Sequence, residues 1–597
     1  MTHVHERPDF SAFSPLAEQF IRFCAELDPH ASEHALLAAA LVAEADARGD
    51  VCIELERAAG RPVQADDSGI ASFHAPCLPE WQQALNAAGF VARAGHRAPL
   101  ILDGSRLYLH RHHQAECFIA QNMLERCQTV EVDPAWLRSG LDALFGRLTC
   151  DNPAWWQRLA VAMSMSYRLS IITGGPGTGK TTTVRRLLQL LRQQHQDTRI
   201  LLAAPTGKAA ARLHESLQSG DSSAETADLP RPVTLHRLLQ AGRNGFGFHG
   251  QHPLPCDTLI VDECSMIDQG LMRALLEALP VTSRLILLGD RNQLSSVESG
   301  SVLADLTGRG RNMQISRQRA NQLTTFMGSL PAGLTGEPAC CLADAIVELK
   351  HSFRFDAAGS IGRLARALEQ GNRPEIDSLV KQSDETLQWI FCENDPPPSA
   401  ILSWMIDRFS PIFDAGDAEQ AMSLFERFRV LCALREGPWG ETALRERFHD
   451  RLLRNGCMHA GAEQQGAHGL PLLILRNDPE TGLANGDTGI FWDQGSGLRA
   501  WFRIEGALRS FHRHELPAWQ PAWTLTVHRS QGCEYDEVLL VLPPADHPLL
   551  GRELVYTALT RARNHCTIVG NRALLVDIML RSTPRASGLY ARLGWAD

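Results

Sequence analysis

The sequence predicts an α/β protein whose parallel sheets are covered by helices, and three observations lead there. The first is a strand–loop–helix unit. An apolar run at 169–172 precedes Gly174-Gly175-Pro176-Gly177-Thr178-Gly179-Lys180-Thr181, and Val184, Leu187, Leu188 and Leu191 follow at helical spacing. The second is alternation. Strand candidates at Ile200–Ala204, Thr258–Val261, 285–288 and 538–542 are separated by helical stretches, the order of a parallel sheet. Third, another alternating set begins near Leu349, with a strand candidate at 429–434 and a strand–helix–strand block at 523–570. A chain of 597 residues exceeds one core, and at about 150 residues per domain it divides into roughly three to five.

Residues 1–145 read mainly as amphipathic helices. Leu16, Phe20, Ile21 and Cys24 share one face, and Leu36, Leu37, Ala40 and Leu41 form another set. Leu107-Tyr108-Leu109-His110-Arg111-His112-His113 reads as a strand end and polar turn, because a metal site needs more ligands in defined geometry. Asn152 is the expected N-cap and Pro153 the first residue of a helix carrying Trp155, Trp156 and Gln157. Residues 307–345, rich in Gly and Pro, read as a linker or mobile surface. Short apolar runs at 470–515, broken by Asn485-Gly486-Asp487 and Gly495-Ser496-Gly497, predict a small all-β insert.

Composition excludes several classes. Met1-Thr2-His3-Val4-His5-Glu6-Arg7 has no apolar core after it, so no signal peptide is expected, and the apolar run 35–43 is too short to span a bilayer. Fifteen cysteines without a C-x-x-C spacing fit reduced thiols in a cytoplasmic protein better than a disulfide framework or an iron–sulfur cluster. The net charge of −10 announces no global basic field, yet leaves room for a locally basic groove.

The glycine loop fits G-x-x-x-x-G-K-[ST]. Its backbone N–H groups and the following helix N-terminus suit phosphate oxygens, Lys180 reaches β- and γ-phosphates, and the Thr181 hydroxyl suits Mg²⁺. Asp262, after the strand Thr258–Val261, is placed to hold Mg²⁺ through water, and Glu263 to deprotonate an attacking water; the bland alternative is a solvated pair opening a helix. Gln293, after the next strand, suits γ-phosphate sensing, although a glutamine in a loop is more often simply polar. Arg354 and Arg561 are candidate guanidinium groups supplied from a second domain, against a plainer role in surface ion pairs.

Taken in order, these stretches resemble the superfamily 1 helicase motifs, specifically those of the RecD family, the alpha subunit of exonuclease V (RecBCD). Gln157 falls at the adenine-reading glutamine, and 174–181 is motif I, with Thr182 beside it. Ala204-Pro205-Thr206-Gly207-Lys208-Ala209-Ala210 resembles motif Ia, and Thr234-Leu235-His236-Arg237-Leu238-Leu239 motif Ib. Asp262 to Asp268 is motif II and Gly289-Asp290-Arg291-Asn292-Gln293-Leu294 motif III. Arg354 matches motif IV, 523–535 motif V and 556–563 motif VI, so the likeness spans roughly 150–575.

The resemblance implies two RecA-like P-loop domains with ATP and Mg²⁺ between them, at 145–330 and at 345–435 with 516–597. It adds a mainly helical partner-docking domain at 1–120 and a β-rich insert at 436–515. ATP contacts are implied for Gln157, Gly174, Gly175, Pro176, Gly177, Thr178, Gly179, Lys180, Thr181 and Thr182. Single-strand contacts are implied for Pro205, Thr206, His236, Arg237, His528 and Ser530, the histidines being open also to a structural role. The implied activity is an ATP-dependent 5′–3′ DNA helicase acting on duplex ends and single strands in break repair. RecB- and RecC-like subunits are implied partners, with no nuclease site in this chain. A stand-alone RecD-like helicase and an ATP-gated DNA clamp are the alternatives, and a relaxase fusion is excluded by the short N-terminal region. Residues 242–255, with Phe246 and Phe248, read equally as a strand-separating hairpin or a surface loop.

Overall fold

A computed structural model of the chain describes residues 10, 12–64, 71–218, 229–243, 245–310, 314–354, 359–393, 399–459, 461–495, 497–504 and 506–595. The signal-peptide reading of residues 1–7 lies outside them. The N-terminal region is less helical than its sequence predicts. Between helices lie short strands Cys52–Glu54 (β1), Pro62–Gln64 (β2), Ala71–His74 (β3), Val91–Arg93 (β4), Leu100–Asp103 (β5) and Arg106–Leu109 (β6). Four of them form a sheet in the order β1-β6-β5-β4, and β2 pairs with β3. Strands of three or four residues carry too few alternations to outweigh a helical pattern. The predicted polar turn after Leu109 is the start of helix His110–Glu125, so the three histidines are helical. Leu16 is 63% exposed and does not share the buried face of Ile21 and Cys24.

The first parallel sheet comprises Leu169–Thr173 (β7), Ile200–Ala204 (β8), Val233–Thr234 (β9), Thr258–Val261, Arg284–Gly289 and Ile346–Glu348. Between β9 and Thr258, the tiny strands Ala241–Gly242 (β10) and Gly245–Phe246 (β11) form an antiparallel hairpin, so the segment at 242–255 is not a plain loop. Continuing in chain order, Thr258–Val261 is β12, Arg284–Gly289 β13 and Ile346–Glu348 β14, and the sheet order is β14-β7-β13-β12-β8-β9. Its central strands are buried continuous apolar runs, as helices on both faces require. Two apolar clusters, one per face, follow from this.

Three expectations change here. The helix predicted from Pro153 begins at Trp155, and Asn152 Oδ1 accepts from Ala154 N in the turn before it. Within 307–345 the described residues include helix Arg317–Met327, capped by Ser316, with Leu323 and Phe326 in the core. Its buried Arg319 lies 4.4 Å from the Tyr167 ring centroid and donates to Met163 O and Ser166 O. The segment looked like a linker because its buried side is narrow and includes this arginine. Finally, β14 pairs with β7, so the first sheet extends to Glu348, beyond the expected end of its domain at 330 and into the stretch from 345 expected to open the second.

The second parallel sheet comprises Leu387–Phe391 (β15), Phe428–Cys432 (β16), Thr524–Thr526, Tyr535–Val541 and Ala562–Gly570. Between β16 and Thr524 comes an antiparallel sheet of Pro471–Ile474 (β17), Thr488–Asp493 (β18), Leu498–Ile504 (β19), Ala507–Phe511 (β20) and Trp519–Pro521 (β21). Thr524–Thr526 is then β22, Tyr535–Val541 β23 and Ala562–Gly570 β24, giving orders β15-β24-β23-β16-β22 and β20-β19-β18-β17-β21. The β-rich part thus spans 471–521. The stretch before it, placed in the insert by sequence, holds helix Glu441–Arg454, whose Leu444, Phe448 and Leu452 are buried. The strand candidate 538–542 belongs to this second sheet. Both sheets share one core, where Trp523 packs edge-on to Phe409 and Phe448 at 5.1 and 5.3 Å between centroids. No helix among the described residues is long and apolar enough to cross a membrane.

Candidate active site

The glycine loop leaves the carboxyl end of β7, where open parallel sheets bind ligands. Gly177 and Gly179 have φ of +72° and +84°, a region side chains other than glycine resist. Space forbids a side chain too. A Cβ on Gly177 would stand 2.3 Å from Arg354 Cβ, and one on Gly179 2.1 Å from Gln157 Nε2. Lys180 Nζ donates to Gly174 O (2.7 Å) and Gly175 O (3.1 Å), and Thr178 Oγ1 donates to Gly175 O (2.9 Å). Gln157, buried in helix Trp155–Ser166, donates from Nε2 to Thr178 O at 3.1 Å.

Asp262 and Glu263 follow β12, and Glu263 N donates to Asp262 Oδ1 at 2.8 Å. Glu263 sits at φ 53°, ψ 41°, a costly left-handed conformation of the kind held at functional sites. Burial first, then the Glu263 carboxylate, pushes the Asp262 carboxyl up, while Lys180 pulls it down. After β13, buried Asp290 accepts from Asn292 N and Gln293 Nε2, both at 3.0 Å, which anchors Gln293. A hydroxyl at Thr181 and a carboxylate at Asp262 are hard oxygen donors lining one cleft. They fit Mg²⁺, which keeps waters and substrate phosphates as its other ligands. No group of three or more His, Cys, Asp or Glu poised for a metal occurs among the described residues.

The opposite wall comes from the chain beyond β14. Ser352 Oγ donates to Pro176 O (2.9 Å) and Phe353 N to Gly177 O (2.8 Å), which ties the approach to Arg354 onto the glycine loop. Arg354 pairs with Glu534, and burial, then Arg212, Arg561 and Arg563, lowers it to about 9. Buried Arg561 donates from Nε to Thr557 O and from NH1 to Cys533 O, both at 3.1 Å. One cleft of about 520 Å³ brings together Gln157, the 176–182 part of the loop, Asp262, Glu263, Gln293, Arg354 and Arg561. Gly174 and Gly175 line a neighbouring cavity of about 350 Å³ behind the loop.

The predicted strand contacts separate. Pro205 and Thr206 are half-buried after β8, where Thr206 Oγ1 accepts from Ala209 N to start helix Gly207–Gln218. His236 and Arg237 are exposed on the helical turn Leu235–Leu238, and the His236 ring lies 6.5 Å from that of Phe246. His528 is half-buried after β22, and burial, then Arg585, lowers its pKa, which favours neutral imidazole. Ser530 is not presented at all. It is fully buried, and its Oγ donates to Val527 O at 2.7 Å to close the turn.

Comparison with known proteins follows this layout. The family description "RecBCD enzyme subunit RecD, N-terminal domain" matches 11–108, an AAA domain 157–299, and a UvrD-like helicase C-terminal domain 521–569. The RecBCD enzyme subunit RecD of Mycolicibacterium smegmatis is 33% identical over 575 residues, 93% of each chain. That of Haemophilus influenzae is 32% identical over 607 residues, covering 93% of this chain and 92% of its own. The ATP-dependent RecD2 DNA helicase of Deinococcus radiodurans is 31% identical over 408 residues, 68% of this chain and 47% of that one.

The chain belongs to the RecD family.

Several RecD-motif residues quoted in the sequence but given no role prove structural at the cleft. Tyr556 OH, from motif VI, lies 3.1 Å from Asp290 Oδ2 in motif III and 2.9 Å from Glu369 Oε1. Leu294 is held from both sides: its N donates to Thr557 Oγ1, and its O accepts from Gln531 Nε2, each at 2.8 Å. Arg212 and Glu534 were missed as site residues. Arg212 crosses from the first sheet to pair with Glu534 and to donate to Gly532 O. No spacing rule singles out an arginine on the helix after motif Ia, and only the fold brings it to the cleft.

Proposed function

We infer that this chain is an ATP-dependent DNA helicase subunit of a RecBCD-type complex, translocating 5′–3′ on single strands in double-strand break repair. The observation that carries the reading is the cleft between the two parallel sheets, with the phosphate loop on one wall and Arg354 and Arg561 on the other. Lys180 and the loop N–H groups bind the β- and γ-phosphates, and Gln157 flanks the base. Glu263 takes the proton of the attacking water, Gln293 orients that water, and the two guanidinium groups stabilise charge on the transferred phosphoryl. Mg²⁺ bound by Thr181 and Asp262 would neutralise phosphate charge. The bonds from Leu294 and Asp290 to Gln531, Thr557 and Tyr556 give closure a path to the second sheet. Translocation requires that open and closed clefts grip the strand differently.

Pro205, Thr206, His236, Arg237 and His528 supply sequence-blind contacts to the strand, and the hairpin of β10 and β11 stands beside that path as the strand-separating element. The antiparallel insert guides the strand, and the domain at 1–120 docks RecB- and RecC-like subunits. The subunit reading is preferred to a stand-alone helicase because RecBCD subunits are matched over 92–93% of their length and RecD2 over 47%. Free thiols at all fifteen cysteines suit the cytoplasm. The deciding experiment is an unwinding assay on duplexes with a 5′ or a 3′ tail, with and without partner subunits. Displacement from the 5′ tail alone is expected, and displacement only from the 3′ tail would refute the polarity.

A further inference from the structure

Beyond helix Arg572–Leu580 the chain does not stay with the second sheet. It crosses to the first sheet and to the N-terminal domain. Val51 N donates to Ala586 O (2.9 Å) and Ala586 N to Asp50 Oδ1 (2.8 Å). Fully buried Glu116 receives Ser587 Oγ, Gly588 N and Arg592 Nε, and Leu589, Leu593 and Trp595 enter the core under the first sheet. Gly588 permits the approach, since a Cβ there would stand 2.0 Å from the Tyr108 hydroxyl. The segment 581–595 is therefore a strap between the two halves of the motor.

At the middle of the strap is Arg585. Its guanidinium donates to Ser296 O, Glu298 O and Gly300 O (3.0 Å for the last), all in the loop that follows motif III. Gly300 N in turn donates to Gly49 O at 2.9 Å, and a Cβ on Gly49 would stand 2.7 Å from Arg585 Cζ. This loop begins two residues after Gln293 at the nucleotide cleft and carries Val297, which is 77% exposed. The loop has no regular ladder of its own: Ser296 Oγ donates to Glu298 O (3.0 Å) and Gly300 O (3.2 Å), and the Arg585 guanidinium adds the link from these carbonyls to the strap. The same positive charge lies near enough to His528 to help lower its pKa.

We propose that Arg585 is a positioning residue for DNA-coupled ATP turnover: it sets the loop 295–300 so that movement at Gln293 reaches the strand-binding face. The inference rests on the helicase reading above. A planar guanidinium serves because it spans several separated acceptors at fixed angles, which an ammonium cannot do.

The purified full chain is assayed for ATP turnover with and without a single-stranded oligonucleotide, as wild type, Arg585→Lys and Arg585→Ala, with thermal melting of each. Arg585→Ala is expected to keep its DNA-free turnover, its KM for ATP and its melting temperature, while stimulation by DNA falls about tenfold. Arg585→Lys is expected to recover part of that stimulation. Equal stimulation in all three proteins overturns the assignment. So does a loss of DNA-free turnover or of melting temperature in step with the stimulation, because a purely structural strap would give that result. A wild-type chain that DNA does not stimulate overturns the helicase reading itself, and the inference with it.

Discussion

Lys180 and Arg561 sit on opposite walls of one cleft, and their surroundings predict different defects. Lys180 Nζ rests on the Gly174 and Gly175 carbonyls at the mouth of the phosphate loop, so it meets nucleotide in ground and transition states alike. Lys180→Gln is expected to abolish measurable ATP turnover and unwinding while single-strand binding persists; unwinding by that variant would sink the motor assignment. Arg561 is locked on Thr557 O and Cys533 O within the second sheet, so it acts when the cleft closes. Arg561→Ala should lower kcat about 10³-fold with ATP affinity changed little, in the manner of arginine fingers. Matching losses in kcat and affinity, read by steady-state kinetics and nucleotide titration, would make it a ground-state ligand instead. The strand contacts divide just as sharply. Arg237 is exposed whereas the Ser530 hydroxyl is spent on Val527 O. Arg237→Ala should weaken oligonucleotide binding and reduce the salt slope by about one, while Ser530→Ala should leave both unchanged. These differences were not legible from motif spacing, which gives the turn but not which side of it faces solvent.

At the scale of elements, what the sequence revealed follows from strand length and burial. Strands β7, β8, β12 and β13 are continuous apolar runs next to a diagnostic loop, and they were found at or within a residue of their ends. Strands β1, β4 and β5, of three or four residues, were lost in a helical pattern, whereas the end of β6 was read at 107–109. The helix Arg317–Met327 was lost because its anchor, Arg319, is a charged residue buried on carbonyls and an aromatic face. The Trp523 ring, at the start of motif V, shows how an element is fixed by its neighbours. It is fully buried between Phe409 and Phe448, in the core shared by the second sheet and the antiparallel insert. Trp523→Ala should therefore cost about 3–5 kcal/mol of stability. Denaturant melts followed through the second domain would test this, and a change below about 1 kcal/mol, the range of surface substitutions, would contradict the shared core.

For the whole molecule, the phosphate side of the ATP cleft was legible because the glycine loop, Asp262, Glu263 and Gln293 each come shortly after a strand within a local motif. The contacts between halves were not, because Arg212 to Glu534, Leu294 to Gln531 and Glu116 to Ser587 join residues hundreds of positions apart. The same limit applies to the outer surface of the first helix. Sequence periodicity placed Leu16, Phe20, Ile21 and Cys24 on one face. In the fold, Pro15–Leu27 carries two apolar stripes. Ala17, Ile21 and Cys24 pack inward, whereas Leu16, Phe23 and Leu27 are 63%, 47% and 51% exposed. Phe20 stacks on Phe23, and Leu16 with Phe20 borders a shallow groove that Pro99 and Leu109 complete. A second apolar stripe of this kind is what a subunit interface needs at its centre. If the N-terminal domain docks partner subunits, the double variant Leu16→Gln, Phe23→Gln should bind RecB- and RecC-like chains about 30-fold more weakly, the effect of losing one hot spot worth about 2 kcal/mol. Its melting temperature and its DNA-stimulated ATP turnover should match the wild type, because the outward stripe touches neither core nor cleft. Undiminished co-purification would move the docking surface elsewhere, and a lower melting temperature would show that the stripe supports the domain rather than a partner.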